Sequence, residues 1–161
     1  MKKAGLLIGL VAAGAAVSAN AQLLTHKDLS QAMALTIATT AAETCKGQGY
    51  RVSVTVVGRV GEIIVQMRGD GASPHTIENS FRKAYTARTF RVPSGEIANR
   101  LKENPTSSFV HLSNVVAAQG ALPIKVSDEV IGAVGVSGAP GGDKDEACAK
   151  TGIDKVGDQL K

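Results

Sequence analysis

The chain has 161 residues, a net charge of +4, no tryptophan and an aromatic content of 3%. That length suits a single domain with one core. Two of the positive charges, Lys2 and Lys3, sit in the first residues, and the near-neutral remainder lacks the basic stripe and stacking rings expected of a nucleic-acid binder.

The chain opens Met1-Lys2-Lys3, runs apolar from Ala4 to Val17, and reaches Ser18-Ala19-Asn20-Ala21. A basic start, a short apolar stretch and an Ala-x-Ala end predict a secretory signal peptide over residues 1–21, cleaved before Gln22. The apolar run is short of the roughly 20 residues that span a bilayer. The expected mature chain, residues 22–161, is therefore one domain with no membrane span, located in the periplasm or secreted. Two cysteines, Cys45 and Cys148, remain in it. In an exported chain an even cysteine count points to a disulfide between them. No Cys-x-x-Cys, His-Glu-x-x-His or His-x-His spacing occurs, so a zinc site is not expected.

Thr25 and Asp28 have the spacing of a helix start. Leu29, Met33, Ile37, Ala41 and Cys45 then recur every four residues, an amphipathic helix closed by Gly47. Tyr50–Val57 alternates, with valines at 52, 54 and 56 on one side and Ser53 and Thr55 on the other, the pattern of a half-buried strand. Gly58–Gly61 turns the chain into a second strand, Glu62–Arg68, completing a hairpin. Ser73-Pro74 begins a helix marked by Ile77, Phe81, Ala84 and Arg88. Ser94, Ile97, Ala98 and Leu101 mark a shorter helix that stops near Asn104-Pro105. Thr106–Ala121 has no clean period. Leu122–Val126 and Val130–Val136 read as a second hairpin around the triplet Ser127-Asp128-Glu129. In its second strand Val130, Val134 and Val136 are expected on one side, and Ile131 and Ala133 on the other. A glycine turn through Gly142 follows, then Asp143 and Glu146 at capping-box spacing for a last helix. The order α, ββ, αα, ββ, α predicts an α+β fold: one antiparallel sheet from two hairpins, with helices on both sides.

Few residues offer chemistry. The glycines at 132, 135, 138 and 141 run through an antiparallel strand at the wrong spacing for a dinucleotide fingerprint. Gly135-Val136-Ser137-Gly138-Ala139 misses the Gly-x-Ser-x-Gly nucleophile elbow. His26, His75 and His111 are the candidate iron ligands. Arg68, Lys83 and Arg88 could pair with ligand carboxylates.

The segment PIKV…EVIGAVGVSGAPGGDKDEACAKTGI resembles the C-terminal signature of the GlcG/HbpS family, a haem-binding or haem-degrading domain also found at the end of some PduO proteins. Met67–Ala72 (MRGDGA), Lys83–Ala87 (KAYTA) and Pro93-Ser94 are similar to its earlier motifs, in the same order. The resemblance covers roughly Thr25 to Leu160. It departs at Gly58-Arg59-Val60-Gly61, where the family usually has Asp and paired Gly, and at Gly120-Ala121-Leu122-Pro123, where it usually has Gly-Gly before Pro. It implies a profilin-like or PAS-like sandwich assembled as a homo-oligomer, with haem as cofactor in a cleft near a subunit interface. Lys83 and Thr86 match the Lys-Ala-x-Thr-Ala motif. The expected ligand-binding set is Arg68, His75, Lys83 and Thr86, with His75 as metal ligand and Ile64 and Phe81 as apolar lining. Two alternatives stand beside this small-ligand-binding protein: an enzyme that degrades haem or acts on a small metabolite, and a ligand-free accessory subunit. No paired acid and base marks a catalytic centre.

Overall fold

Residues 22–161 are described by the computed structural model, and the expected signal peptide, residues 1–21, lies outside the described residues. Helix α1 (Gln31–Gly47) starts later than Thr25 because Ser30 is the cap: its hydroxyl accepts the Met33 amide at 3.2 Å. Thr25 and Asp28 stay in a non-helical lead-in, which still buries Leu29. The inner face of α1 carries Ala34, Ile37, Ala38, Ala41 and Cys45, a narrow stripe that lets another element pack closely.

Strands β1 (Ser53–Val57) and β2 (Ile63–Arg68) form one antiparallel hairpin, and β3 (Ala121–Val126) and β4 (Glu129–Ser137) the other. They join through β1 and β4, with Ser53 opposite Ser137 and Val57 opposite Ala133, in the order β2-β1-β4-β3. The second hairpin turns on two residues, Ser127-Asp128, rather than three, because Val126 already pairs with Glu129 and Ser127 adopts a φ of 53°. Each hairpin has a register shift. In the first, Val56 faces Val65 and Val57 faces Ile63, which leaves Ile64 unpaired; in the second, Ile124 faces Gly132 and Lys125 faces Val130, which leaves Ile131 unpaired. A bulge re-aims its extra side chain. Ile131 therefore packs with Val134 and Val136, not with Ala133 as strict alternation predicts.

Helices α2 (His75–Phe90), α3 (Ser94–Glu103) and α4 (Gly142–Lys155) complete the elements. Helices α1 and α4 pack together on one face of the sheet, and α2 lies on the other with α3 beside it. The main core, including Ile37, Val54, Val56, Ile124, Val134 and Val136, fills the α1/α4 side. There Cys45 and Cys148 are fully buried and bonded to each other, with 5.7 Å between their Cα atoms. The α2 side holds only a small cluster of Val57, Ala84, Ala87, Ala121 and Ala133.

Ser53 and Thr55 do not face solvent. Helix α2 covers them, and their hydroxyls lie 2.8 Å from those of Thr76 and Ser80. Gly135 lets α2 come this near: a Cβ there would lie 2.3 Å from the Ser80 carbonyl oxygen and 2.7 Å from the Ala84 nitrogen. The aperiodic stretch before β3 holds a single 3-10 turn, Ser108–His111, and no strand. Among the described residues no helix is long and apolar enough to cross a membrane.

Candidate functional site

Helix α2 presents Thr76, Ser80, Lys83, Ala84 and Ala87 to the sheet, a face of small side chains with one cation in it. A buried ammonium needs a counter-charge and full hydrogen bonding. Lys83 is 4% exposed, and its Nζ donates to Asp145 Oδ2 at 2.8 Å and to the Val136 carbonyl at 3.1 Å. Asp145, in the first turn of α4, accepts the Ala139 amide on its other oxygen at 3.0 Å. The pair thus ties α2 to α4 around the end of β4. Burial pushes the Asp145 carboxyl up from its ordinary range, while the hydrogen bond and charge of Lys83 and the amides of Ala139 and Gly138 pull it back. Gly120 makes room for the contact. Its φ is +130°, and a Cβ there would lie 2.7 Å from Lys83 Nζ.

Over this pair opens a cleft of about 400 Å³, lined among others by His75, Asn79, Lys83, Gln119, Ser137 and Asp145. Asn79 donates to the Ser137 hydroxyl at 2.9 Å. The floor is a neutral ion pair and the walls are amides and hydroxyls, which suits polar recognition rather than burial of a large apolar ring. Two of the three Lys83 protons are committed to protein acceptors, which leaves one for a ligand oxygen.

Of the expected ligand residues, only His75 and Lys83 meet in this cleft. His75 is exposed on its rim, at the first residue of α2. Thr86 is fully buried. Its hydroxyl donates to the Arg82 carbonyl at 2.8 Å and accepts the Val116 amide at 2.9 Å, clamping the loop before β3. Arg68 is exposed, donates to the Ala72 carbonyl, and lines a separate cavity of about 430 Å³ with Ala42, Lys46, Tyr50, Arg51 and Met67. That cavity is the more apolar of the two, but the buried charges belong to the other. Ile64 and Phe81 cannot line one cleft, because Ile64 packs on the α1/α4 side of the sheet and Phe81 on the α2 side. Among the described residues no group of three or more His, Cys, Asp or Glu side chains is placed to hold a metal. An iron ligand from this chain at the cleft would be the lone His75.

Asp145, Asn79 and Ser137 were not singled out from the sequence as ligand residues. Asp145 had a readable signal. Asp145, Cys148, Ala149 and Gly152 fall at i, i+3, i+4 and i+7, so a helix burying Cys148 also buries Asp145. The neighbouring capping-box pattern obscured it; Asp143 makes no side-chain cap in the structure.

Residues 29–154 match the family described as haem degrading protein HbpS-like. GlcG of Escherichia coli K12 is 31% identical over 109 residues, which is 68% of this chain and 81% of GlcG. A crystal structure of HbpS superimposes with a TM-score of 0.77 at 36% identity, covering 87% of this chain and 96% of HbpS. The crystal structure of a PduOC–haem complex shares the fold, with a TM-score of 0.71 at 24% identity over 79% of this chain and 94% of that one. The sandwich of four antiparallel strands between helices is the fold of these neighbours, and the chain belongs to the HbpS-like family.

Proposed function

We propose that the mature chain is an exported haem-binding protein that takes the propionate-bearing edge of haem into the cleft between α2 and α4. The observation that carries this reading is the buried Lys83 ammonium on the cleft floor, with His75 on the rim. Lys83 offers its remaining proton to a propionate, Asn79 and Ser137 supply neutral polar contacts, and His75 is within the same lining to approach the iron. Thr86 acts indirectly, holding the loop that carries the cleft wall. Arg68 would meet only a part of the ligand extending past the cleft. The cleft, of about 400 Å³, is open on one side, so part of the macrocycle stands outside it. The ring face is then covered by a second copy of the chain, which puts the cleft at a subunit interface. The family description and the haem held by the PduO neighbour both point to this ligand.

Bound haem would supply redox-active iron. The family description also favours a second reading, in which the protein degrades haem; a reductant added to the haem-loaded protein should then convert the haem spectrum to that of a discrete product.

The test is titration of the mature protein with hemin, followed by the Soret band. A saturable shift is expected in the parent, at an altered wavelength in His75→Ala. Binding should be weaker in Lys83→Met/Asp145→Leu, which removes the ammonium without stranding a buried carboxylate. A parent that behaves like an unrelated exported protein sinks the haem reading. Equal binding by both variants retains haem but moves it out of this cleft.

A further inference from the structure

The more apolar cavity, of about 430 Å³, lies between the C-terminal end of α1 and the ends of β1 and β2, apart from the α2/α4 cleft. Its apolar lining is Ala42, Tyr50, Val52 and Met67, which belong to the main core or pack against it. The charged lining is three cations, Lys46, Arg51 and Arg68, and two acids, Glu43 and Asp70. Lys46 lies 3.9 Å from Glu43, and the two offset each other. Arg51 and Arg68 make no ion pair among the described residues. Two guanidiniums therefore stand against the single carboxylate of Asp70, an excess of one positive charge beside an apolar lining. Lys144, 5.7 Å from the centroid of the Tyr50 ring, adds a further cation nearby.

Both guanidiniums are positioned by one backbone turn. The Gly69 amide donates to the Val52 carbonyl at 2.9 Å, and the Ala72 amide donates to the Gly69 carbonyl at 3.1 Å. Arg68 donates to the Ala72 carbonyl at the end of that turn. Arg51 lies along Gly71, whose φ is +71°; a Cβ there would be 3.0 Å from Arg51 Cδ and 3.4 Å from Nε. A side chain at this position would push Arg51 away from the turn. A guanidinium is a planar fork that suits a carboxylate, and holding it in advance lowers the ordering cost of binding. The tyrosine ring and the methionine sulfur favour a flat aromatic body over a flexible chain.

We propose that this cavity binds a small aromatic carboxylate, with its ring against Tyr50, Val52 and Met67 and its carboxylate between Arg51 and Arg68. One negative charge neutralises the excess at the site, so a monocarboxylate is the fitting class. The site does not depend on haem, and its test uses none.

The experiment is amide NMR of the mature protein titrated with 2-naphthoate, against 2-naphthalenemethanol, octanoate and acetate. Saturable shifts centred on Gly49, Arg51, Gly69 and Asp70 are expected for 2-naphthoate. The neutral alcohol and octanoate should bind more weakly, and acetate should show no saturable shift. In Arg51→Gln/Arg68→Gln the apparent affinity for 2-naphthoate should fall by roughly tenfold, whereas Arg100→Gln, which removes a cation elsewhere on the surface, should stay within about twofold. Ala42→Leu narrows the cavity and leaves both guanidiniums in place, and it too should weaken binding. Equal binding of the alcohol, or equal binding by the double variant, overturns the carboxylate contact. Octanoate binding as tightly as 2-naphthoate overturns the aromatic class. Shifts that never saturate, or that centre elsewhere, or an Ala42→Leu chain that binds like the parent, overturn the site.

Discussion

The two faces of the sheet are held by different physics. Against α1 and α4 the contact is apolar, a large cluster rich in valines and isoleucines, and Cys45–Cys148 ties the two helices to each other. Against α2 it is a short apolar cluster of mostly alanines beside paired hydroxyls and one buried ion pair. Apolar packing tolerates exchange of similar side chains. A buried polar network is unforgiving, because each partner removed leaves another unsatisfied. The cleft opens on the second kind of face, where donors and acceptors lie near the surface.

Five variants test that contrast, from the largest expected effect to the smallest. Cys45→Ala/Cys148→Ala should lower stability in urea by about 4–5 kcal/mol, because the bond closes a loop of 103 residues. If intact-mass analysis of the protein isolated from its native compartment shows two alkylated thiols before reduction, the staple does not exist in the cell. Lys83→Ala strands a buried carboxylate and should cost about 3–5 kcal/mol. The double change Lys83→Met/Asp145→Leu should cost clearly less than the single one. If it costs more, the ion pair is a net source of stability rather than a specificity device. Gly135→Ala places a Cβ against α2 backbone rather than a movable side chain, and about 1–3 kcal/mol is expected. A parental unfolding midpoint would mean that α2 can back away from the sheet. Thr55→Val, which removes one hydroxyl from the Thr55–Ser80–Gln66 set, should cost about 1 kcal/mol. A stabilised Thr55→Val chain would show that the polar face could have been apolar.

The same contrast separates what the sequence disclosed from what it hid. Both hairpins, the short α3 and the pairing of the two cysteines were legible because each rests on local period or on compartment chemistry. Ser53 and Thr55 misled because a hydroxyl every second residue reads as a solvent face, and only α2 docking reveals that a helix covers it. Ile64 and Ile131 misled because a bulge breaks the two-residue period without a sequence mark. The cleft was half legible. Lys83 and His75 share the α2 element, but Asp145 is 62 residues away from Lys83 and only tertiary packing joins them. Thr86, matched by motif, proved to be an internal clamp. Arg68 lies close to His75 in sequence yet lines a different cavity.

The central pairing of β1 with β4 has a further consequence, for the order of events during folding. Each hairpin is local, whereas Ser53 meets Ser137 only when distant parts of the chain come together. Contacts of that separation carry a loop-closure cost before any reward, so docking of the two preformed hairpins is the step expected to limit the rate. The cysteines lie 103 residues apart on α1 and α4, so their approach also needs a long-range closure, and bond formation is expected to follow docking. A folding chain therefore passes through an interval with both thiols free and the inner edges of β1 and β4 unpaired, its period of greatest exposure to aggregation.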